Sequence, residues 1–330
     1  MPTLHADAPV RPDIVVLGIF AADLAFRAQR LPRIGETLLG ESFQLGAGGK
    51  GSNQAVAAAR AGGAVRLITR IGDDAFGQLA LDTWRREGID TTHARVIAGQ
   101  STGAAFIFVS QATGDNAIIV NAGAASGLGP ADIDAAQQAF EHAAVFLAQL
   151  EQPVDAVLAG LRAARRRGAI TILNPAPAPA SDLGDELFGL CDFITPNEAE
   201  AEALTGIAIG SIDDARAAAA RLLARGARCA VITLGSRGVL LQDAAHSVHV
   251  PAIDAGPVVD TTGAGDAFNG AFAVALAERR TPVDALRFAC ACAGLSVTRA
   301  GTAASMPRRT EIQAVVGTLG SSSSSGTATH

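Results

Sequence analysis

Short apolar runs of strand length alternate along this chain with segments of helical pattern, and few architectures accept that alternation. Apolar runs stand at 14–17, 65–70, 144–147, 170–173, 193–194 and 230–234. Helical patterns occupy 53–61, 74–87, 154–167, 198–204, 212–225, 264–277 and 283–298. A helix between two strands carries the chain back to its starting level, so such strands run parallel. The expected fold class is therefore α/β, a mostly parallel central sheet with helices on both faces. The arginines at 165–167 before Gly168 suit a helix C-terminus. Residues 20–44, broken by Pro32, Gly35 and Gly40, read instead as short strands and turns, and 103–109 with 117–120 as a strand pair. In parallel sheets ligands sit beyond the carboxyl ends of the strands. Gly18, Glu151, Asn174 and Thr233 fall at or just past such ends and are expected on one rim.

With 330 residues the chain can bury a large core. A hydrophobic content of 49% against 18% charged residues is globular. The net charge of -6 argues against nucleic acid as the main partner. No apolar run approaches a membrane span, and residues 1–13 hold acids and prolines but no apolar signal stretch. A cytoplasmic protein without a membrane partner is expected. Residues 1–12 read as a flexible tail, and 318–330, with five consecutive serines, as a low-complexity tail. The cysteines Cys191, Cys229, Cys290 and Cys292 form no C-x-x-C pair and read as buried free thiols. His246 and His249, in an apparent strand-and-turn region, read as surface residues.

The segment from Asp260 to Gly270, DTTGAGDAFNG, is the strongest chemical signal. Gly263, Ala264 and Gly265 precede Asp266, and an apolar helical pattern follows. Free N–H groups at a helix start can hold a migrating phosphoryl group, and small residues let its oxygens approach the main chain. Asp266 is placed to accept the proton of an attacking hydroxyl. The plain alternative is a first-turn acid favoured by the helix dipole.

Gly46 to Gly51 matches G-x-G-x-x-G, but without a clean strand before it or an acid about twenty residues on, a dinucleotide reading is weak. Lys50 is followed by Gly51, so this is no Walker A loop. A glycine turn that opens a helix at Asn53 and lets a polyhydroxylated ligand touch backbone N–H groups fits better; a turn capped by Ser52 or Asn53 is the structural alternative. Lys50 is the only lysine in the chain. Asn197, Glu198 and Glu200 stand at a helix start, either as dipole partners or as organisers of waters around Mg²⁺ and nucleotide phosphates. Thr233 to Gly238 is a strand and glycine turn that can face phosphates or simply form a hairpin. Glu151 can bind a hydroxyl or cap the next helix. No Ser-His-Asp, Cys-His or metal-ligand spacing stands out, which disfavours hydrolase and metalloenzyme readings.

Together these strings resemble the ribokinase family of carbohydrate kinases over about 13–309. The likeness rests on AGGKGSNQA at 47–55 and DTTGAGDAFNG at 260–270, with QLEQP at 149–153, LNPAP at 173–177, ITPNEAEAE at 194–202 and VITLGSRG at 231–238. The resemblance implies one kinase domain over 13–317, with a small β lid from about 20–44 and 101–121 that covers the sugar and supplies a homodimer contact. It implies ATP and Mg²⁺ as cosubstrates and K⁺ as a monovalent activator. By position Asp266 becomes the catalytic base, and Gly263, Ala264 and Gly265 the anion hole. Ala21, Asp23, Gly49, Lys50, Gly51, Asn53 and Glu151 fall in the sugar site. Asn197, Glu200, Thr233, Leu234, Gly235, Ser236, Arg237, Gly238 and Gly265 fall in the nucleotide site. Asp260, Thr262, Ser296, Arg299, Gly301 and Ser305 surround the cation, several through backbone carbonyls.

One position departs from the family pattern. Ribokinases carry Asn-x-Asp after the first strand, and here Ala21 replaces the asparagine ahead of Asp23. The expected activity is ATP-dependent phosphorylation of D-ribose to D-ribose 5-phosphate. Alternatives are 2-deoxyribose or another pentose or ketohexose as acceptor, or a non-catalytic sugar or nucleotide sensor on the same fold.

Overall fold

The computed structural model describes residues 11–179 and 181–322, and of 319–322 the backbone alone. The chain enters at β1 (Asp13–Leu17), makes β2 (Ala21–Ala28) and β3 (Ser42–Gly48), and turns into α1 (Lys50–Ala61). Next come β4 (Ala64–Gly72), α2 (Ala75–Arg86), β5 (Ala94–Ile97), β6 (Thr102–Ser110) and β7 (Asn116–Gly123). Alternation resumes with α3 (Pro130–Ala135), β8 (Val145–Ala148), α4 (Val154–Arg166), β9 (Ile170–Leu173), α5 (Asp185–Gly189) and β10 (Phe193–Ile194). Then follow α6 (Glu198–Thr205), α7 (Ile212–Ala224), β11 (Cys229–Thr233), β12 (Val239–Asp243) and β13 (Ser247–Val250). Three helices close the chain: α8 (Ala264–Ala277), α9 (Pro282–Ser296) and α10 (Arg309–Ser322).

The large sheet has the order β13-β12-β11-β10-β9-β8-β1-β4-β5. From β5 to β11 every neighbouring pair is parallel; at one edge β12 alone runs against the rest and pairs antiparallel with both β11 and β13. Strand β1 shows why both faces must be covered. Ile14 and Val16 enter one core with Val56, Phe272 and Phe288, while Val15 and Leu17 enter the other with Leu161 and Leu222. All four of those β1 side chains are fully buried. This is the expected α/β architecture.

A separate sheet, β3-β2-β6-β7, forms the lid. Strands β2 and β6 pair in parallel and the outer pairs are antiparallel. Its register sets Leu24 beside Leu45 and Phe106, and Phe26 beside Phe43 and Phe108, so one face carries an apolar row. Phe26 and Phe43 stack with ring centres 4.8 Å apart yet stay 39% and 54% exposed.

The structure corrects several expectations. Strand β3 runs straight into the glycine motif, which therefore does follow a strand, though an antiparallel lid strand and not a βαβ strand. Helix α1 starts at Lys50, three residues before the Asn53 expected. Its N-cap is Gly49 at φ 84 without a side-chain cap, so neither Ser52 nor Asn53 caps it. A left-handed φ is open to glycine at little cost, and a Cβ at 49 would stand 2.7 Å from the Ile19 carbonyl oxygen. Helix α10 extends through Ser322, past the boundary at 317, because Ile312, Val315 and Val316 pack on the core and Arg309 pairs with Glu278. At the other end the Pro12 carbonyl accepts from the Ala64 N–H at 2.8 Å and Arg11 donates to Gly63, so residues 11–12 are anchored. The remaining tail residues, 1–10 and 323–330, lie outside the described part. The four cysteines are buried and free, and His246 and His249 are exposed. Among the described residues no helix is long and apolar enough to cross a membrane.

Candidate active site

The carboxyl ends of β1, β8, β9, β10 and β11 open on one rim, and α1 and α8 bring their N-terminal ends to it. The two helices approach closely at Gly270, where a Cβ would stand 2.6 Å from both the Ala57 Cβ and the Gln54 carbonyl oxygen. That approach carries the α1 side chains to Asp266. Asp266 is buried; its Oδ2 accepts from Asn53 Nδ2 at 3.0 Å and its Oδ1 from Gln54 Nε2 at 2.9 Å. Asn53 Oδ1 is a buried acceptor with no donor among the described residues. An orphan of that kind calls for a ligand hydroxyl or water. Burial raises the Asp266 pKa, against the Lys50 charge and the two amide donors, which lower it.

Gly263 caps α8 in the left-handed region at φ 82. The first i→i−4 bond of α8 is Ala267 N–H to the Gly263 carbonyl at 2.9 Å. The N–H groups of Gly265 and Asp266 precede it and have no acceptor within the helix. Ala264 N–H turns back to the Thr261 carbonyl at 3.3 Å. A Cβ at Gly265 would meet nothing within 4 Å, so the space before this turn is open. The arrangement is an anion cradle with a carboxylate at its edge.

On the lid side, Asp23 lies over Gly48, where a Cβ would collide with the carboxylate at 2.2 Å. Burial pushes the Asp23 pKa up to about 6; the Thr302 hydroxyl lowers it and Asp266 adds to the rise. Glu151 Oε2 accepts the Lys50 backbone N–H at 2.7 Å, at the start of α1. Burial pushes its pKa up to about 7, against the pull of Lys50. Burial opposes the charge on Lys50, but the fields of Asp266, Glu151 and Glu200 outweigh it and raise its pKa. Ala21 is buried in β2 beside Gly48, and Gly51 is buried against the Gly18 backbone.

A cavity of about 840 Å³ adjoins the anion cradle and reaches Ala264 and Gly265. Asn197, Thr233, Gly235, Ser236 and Gly238, all read from sequence as nucleotide-site residues, line it. Three residues assigned to that site by sequence are engaged elsewhere. Leu234 is buried in the hydrophobic core. Arg237 pairs with Glu198 and donates to the Gly210 carbonyl at 2.7 Å, and the turn it occupies links β11 to β12 as a hairpin. Glu200 closes a capping box on α6, with Asn197 Oδ1 accepting its N–H at 2.8 Å and its Oε1 accepting from Asn197 Nδ2 at 3.0 Å.

The residues read as cation-surrounding divide likewise. Asp260 joins two segments: its Oδ1 accepts from Thr262 N–H at 2.9 Å and its Oδ2 from Gly301 N–H at 3.0 Å. Ser305 closes the same loop by donating to the Thr302 carbonyl at 2.8 Å. Ser296 spends its hydroxyl on Ala293 and its carbonyl on the Arg299 N–H, and the Arg299 guanidinium pairs with Glu311. The donor set is all oxygen with a single carboxylate, which fits a large monovalent cation better than a divalent one.

Thr302 is a residue the motifs did not single out. Its hydroxyl lies 3.1 Å from Asp23 Oδ2 and 2.9 Å from the Ala47 carbonyl, tying the lid to the Asp260 loop. Gln54 and Asn269 were also passed over, although both stand inside the two motif strings.

The chain belongs to the pfkB family of carbohydrate kinases, whose family model matches residues 11–309. It is a phosphotransferase with an alcohol group as acceptor. Within the family it is 39% identical over 302 residues to the ribokinase of Haemophilus influenzae, covering 92% of this chain and 97% of that protein. It is 38% identical over 295 residues to the deoxyribokinase of Salmonella typhi, covering 89% and 95%. The solved structure of Arabidopsis thaliana ribokinase complexed with ribose and ATP superposes with a TM-score of 0.87 at 32% identity, covering 93% of this chain and 99% of that one.

The electrostatics of the site generate a stability prediction. The folded-state pKa of Asp23, about 6, lies above its ordinary 3.8, so between those values the native state holds a proton that the unfolded chain has released. Wild-type stability therefore falls as pH rises across that window. Asp23→Asn removes the buried charge. The ligand-free variant should be more stable than wild type at pH 8 by on the order of 2–3 kcal/mol, with the gap closing by about pH 4. Thermal or urea melts across that range measure it; a gap independent of pH would mean that the carboxylate is not destabilised by burial.

Proposed function

We propose that this chain is an ATP-dependent kinase that phosphorylates D-ribose to D-ribose 5-phosphate. The observation that supports this most is the pairing of a buried carboxylate with an orphan acceptor at the mouth of an anion cradle. Asp266 and the unpartnered Asn53 Oδ1 suit a polyol, and the open first turn of α8 suits a phosphoryl group. The relatives that carry ribokinase names, and the solved one that holds ribose and ATP, supply the sugar class.

In this reading Asp23, Lys50, Asn53 and Glu151 hold the sugar hydroxyls, with the lid closing over them. The primary hydroxyl points at Asp266. Its oxygen attacks the terminal phosphorus of ATP and its proton moves to Asp266. The P–O bond to the leaving ADP breaks, and the electron pair stays on ADP. The N–H groups of Gly265 and Asp266, left without an acceptor at the start of α8, receive the developing negative charge, where fixed dipoles in a dry site act strongly, while the Ala264 N–H stays on the Thr261 carbonyl. The phosphates extend along Asn197, Thr233, Gly235, Ser236 and Gly238. Mg²⁺ accompanying ATP would supply charge neutralisation there, with Asn197 and Glu200, which hold each other in the α6 capping box, reaching it only through ordered waters.

Asp266→Asn should keep the fold and ATP binding and lose turnover on the order of 10²–10⁴-fold, the usual loss with a general base. An ADP-release assay with D-ribose measures it. Near-normal turnover in a folded variant would take the base role from Asp266 and reopen the sensor reading.

K⁺ is assigned to the Asp260 loop, where its charge would steady the Gly263 to Gly265 turn. Turnover should rise when K⁺ replaces Na⁺ at equal ionic strength; equal rates across the alkali ions would remove the site.

The exposed apolar row of the lid is assigned to a homodimer contact, since Phe43, Leu45 and Ile119 are 54%, 46% and 70% exposed. Sedimentation velocity should give a dimer for wild type and a monomer for Phe43→Asp. A monomeric wild type would leave the row without this partner.

Ala21 supports a second acceptor, 2-deoxyribose. The family asparagine at this place would bond a sugar hydroxyl, and a site lacking that bond discriminates weakly against the sugar lacking the hydroxyl. The 38% identity to a deoxyribokinase agrees with this. Wild type should therefore prefer ribose only modestly. Ala21→Asn should shift the ratio of kcat/KM toward ribose by about 1–2 kcal/mol, or roughly ten-fold. Measuring kcat/KM for both sugars with both proteins decides it. A ratio that stays put or moves toward deoxyribose would make position 21 a passive wall.

A further inference from the structure

Asp266 belongs to a continuous chain of buried amides that the reaction as described above does not use. Gln149 Nε2 donates to Gln54 Oε1 at 2.6 Å. Gln54 Nε2 then donates to Asp266 Oδ1 at 2.9 Å and to Asn174 Oδ1 at 3.0 Å. Asn174 Nδ2 donates to the Thr195 carbonyl at 2.9 Å, and the Thr195 hydroxyl donates to Asn269 Oδ1 at 2.6 Å. Asn269 Nδ2 closes the chain on the Gly265 carbonyl at 2.8 Å. It starts beside the base and ends on the first turn of the anion cradle.

The hydrogen-bond directions in this chain are forced. Both hydrogens of the Gln54 amide are committed, and its oxygen is occupied by Gln149. Asn174 cannot turn over, because its amide nitrogen is the group that reaches Thr195. Flipping Gln54 would set its oxygen against the Asp266 carboxylate. Gln54 and Gln149 are both fully buried, so neither can touch sugar or nucleotide from these positions. What Gln54 can act on is Asp266.

We propose that Gln54 is a positioning residue for phosphoryl transfer: its carboxamide, oriented by Gln149 and Asn174, holds the Asp266 carboxylate in the proton-accepting form. The proposal rests on Asp266 being the general base. It answers a difficulty that this role carries. Burial favours the protonated acid, and Lys50 on α1 is the one charge that opposes it; Asp23 on β2, Glu151 beyond β8 and Glu200 on α6 share the region as acids whose own pKa values burial and the field of Asp266 raise. Two side-chain donors, Gln54 and Asn53, hold the ionised form, and Asn53 is also given to the sugar. Gln54 supplies that support in every state of the reaction.

The test is the pH dependence of single-turnover phosphoryl transfer with ribose and Mg-ATP saturating, for wild type, Gln54→Met and Gln149→Met. Methionine keeps the length and volume of glutamine and removes its donors and acceptor. In Gln54→Met the acid limb should move to higher pH by about one to two units, as expected for losing a hydrogen bond to a charged group. Above that limb the rate should recover to within about three-fold of wild type. Gln149→Met, which touches neither base nor substrate, should move the limb in the same direction by less. ADP affinity and melting temperature identify a misfolded variant; if Gln54→Met proves misfolded, Gln149→Met carries the test alone. An unshifted limb in the folded variants, with the rate lowered equally at all pH values, overturns the proposal and leaves Asp266 as base. Retained turnover in Asp266→Asn overturns both.

Discussion

The contact between α1 and α8 governs this site. Two helices from opposite ends of the chain meet over Gly270, where no side chain intervenes. A larger residue there would push the axes apart, and side-chain hydrogen bonds weaken steeply over tenths of an ångström. Asn53 and Gln54 reach Asp266 only because the backbones are that close. The same contact draws the α1 side chains proposed for the sugar against the α8 start proposed for the phosphoryl group. Positioning two reactants at one point is the largest part of what a kinase of this kind must supply.

Function here works against stability. Asp23, Glu151, Glu200 and Asp266 are carboxylates drawn into one partly desolvated region, and burial raises the pKa of each. The one lysine of the chain stands among them. Its ammonium is kept charged by their fields against the penalty of burial. Such a cluster is unfavourable while the site is empty, and sugar hydroxyls and phosphates would give each group a partner. The surface arginines pair differently: Arg60 with Glu87, Arg70 with Asp132 and Arg309 with Glu278 fasten elements without approaching the cavity. Lys50 thus sits among the buried acids of the site, whereas these arginines join elements of the fold.

How far motifs reveal a site depends on what each residue does. The place of Asp266 in the first turn of α8 was legible because small residues and an acid ahead of an apolar helical pattern mark a helix start. That Thr233, Gly235, Ser236 and Gly238 meet the cavity was legible because a glycine turn at the carboxyl end of a buried strand lies at the rim. Arg237 and Leu234 lie in the same string, yet one guanidinium folds back onto Glu198 and one side chain enters the core. Spacing places a residue at a turn without saying which way its side chain leaves it. The start of α1 was misplaced for a related reason. A cap was sought among Ser52 and Asn53, whereas Gly49 enters the helix through a left-handed φ and needs no capping side chain.

Local pattern determined the α/β class, the parallel order implied by alternating elements, the region of short strands, and the helix start that carries Asp266, because each depends on neighbours within a few residues. Tertiary structure decided the rest. It chose Gln54 and Thr302 as partners of Asp266 and Asp23, which are 212 and 279 residues distant in sequence. It also carried α10 past the apparent end of the domain, because its apolar face finds a core to cover. Such pairings follow from where helices cross and sheets close, and no periodicity along the chain records that. The physical divide is between hydrogen bonds made within one turn and those made across packed elements, where only the assembled fold sets the distance.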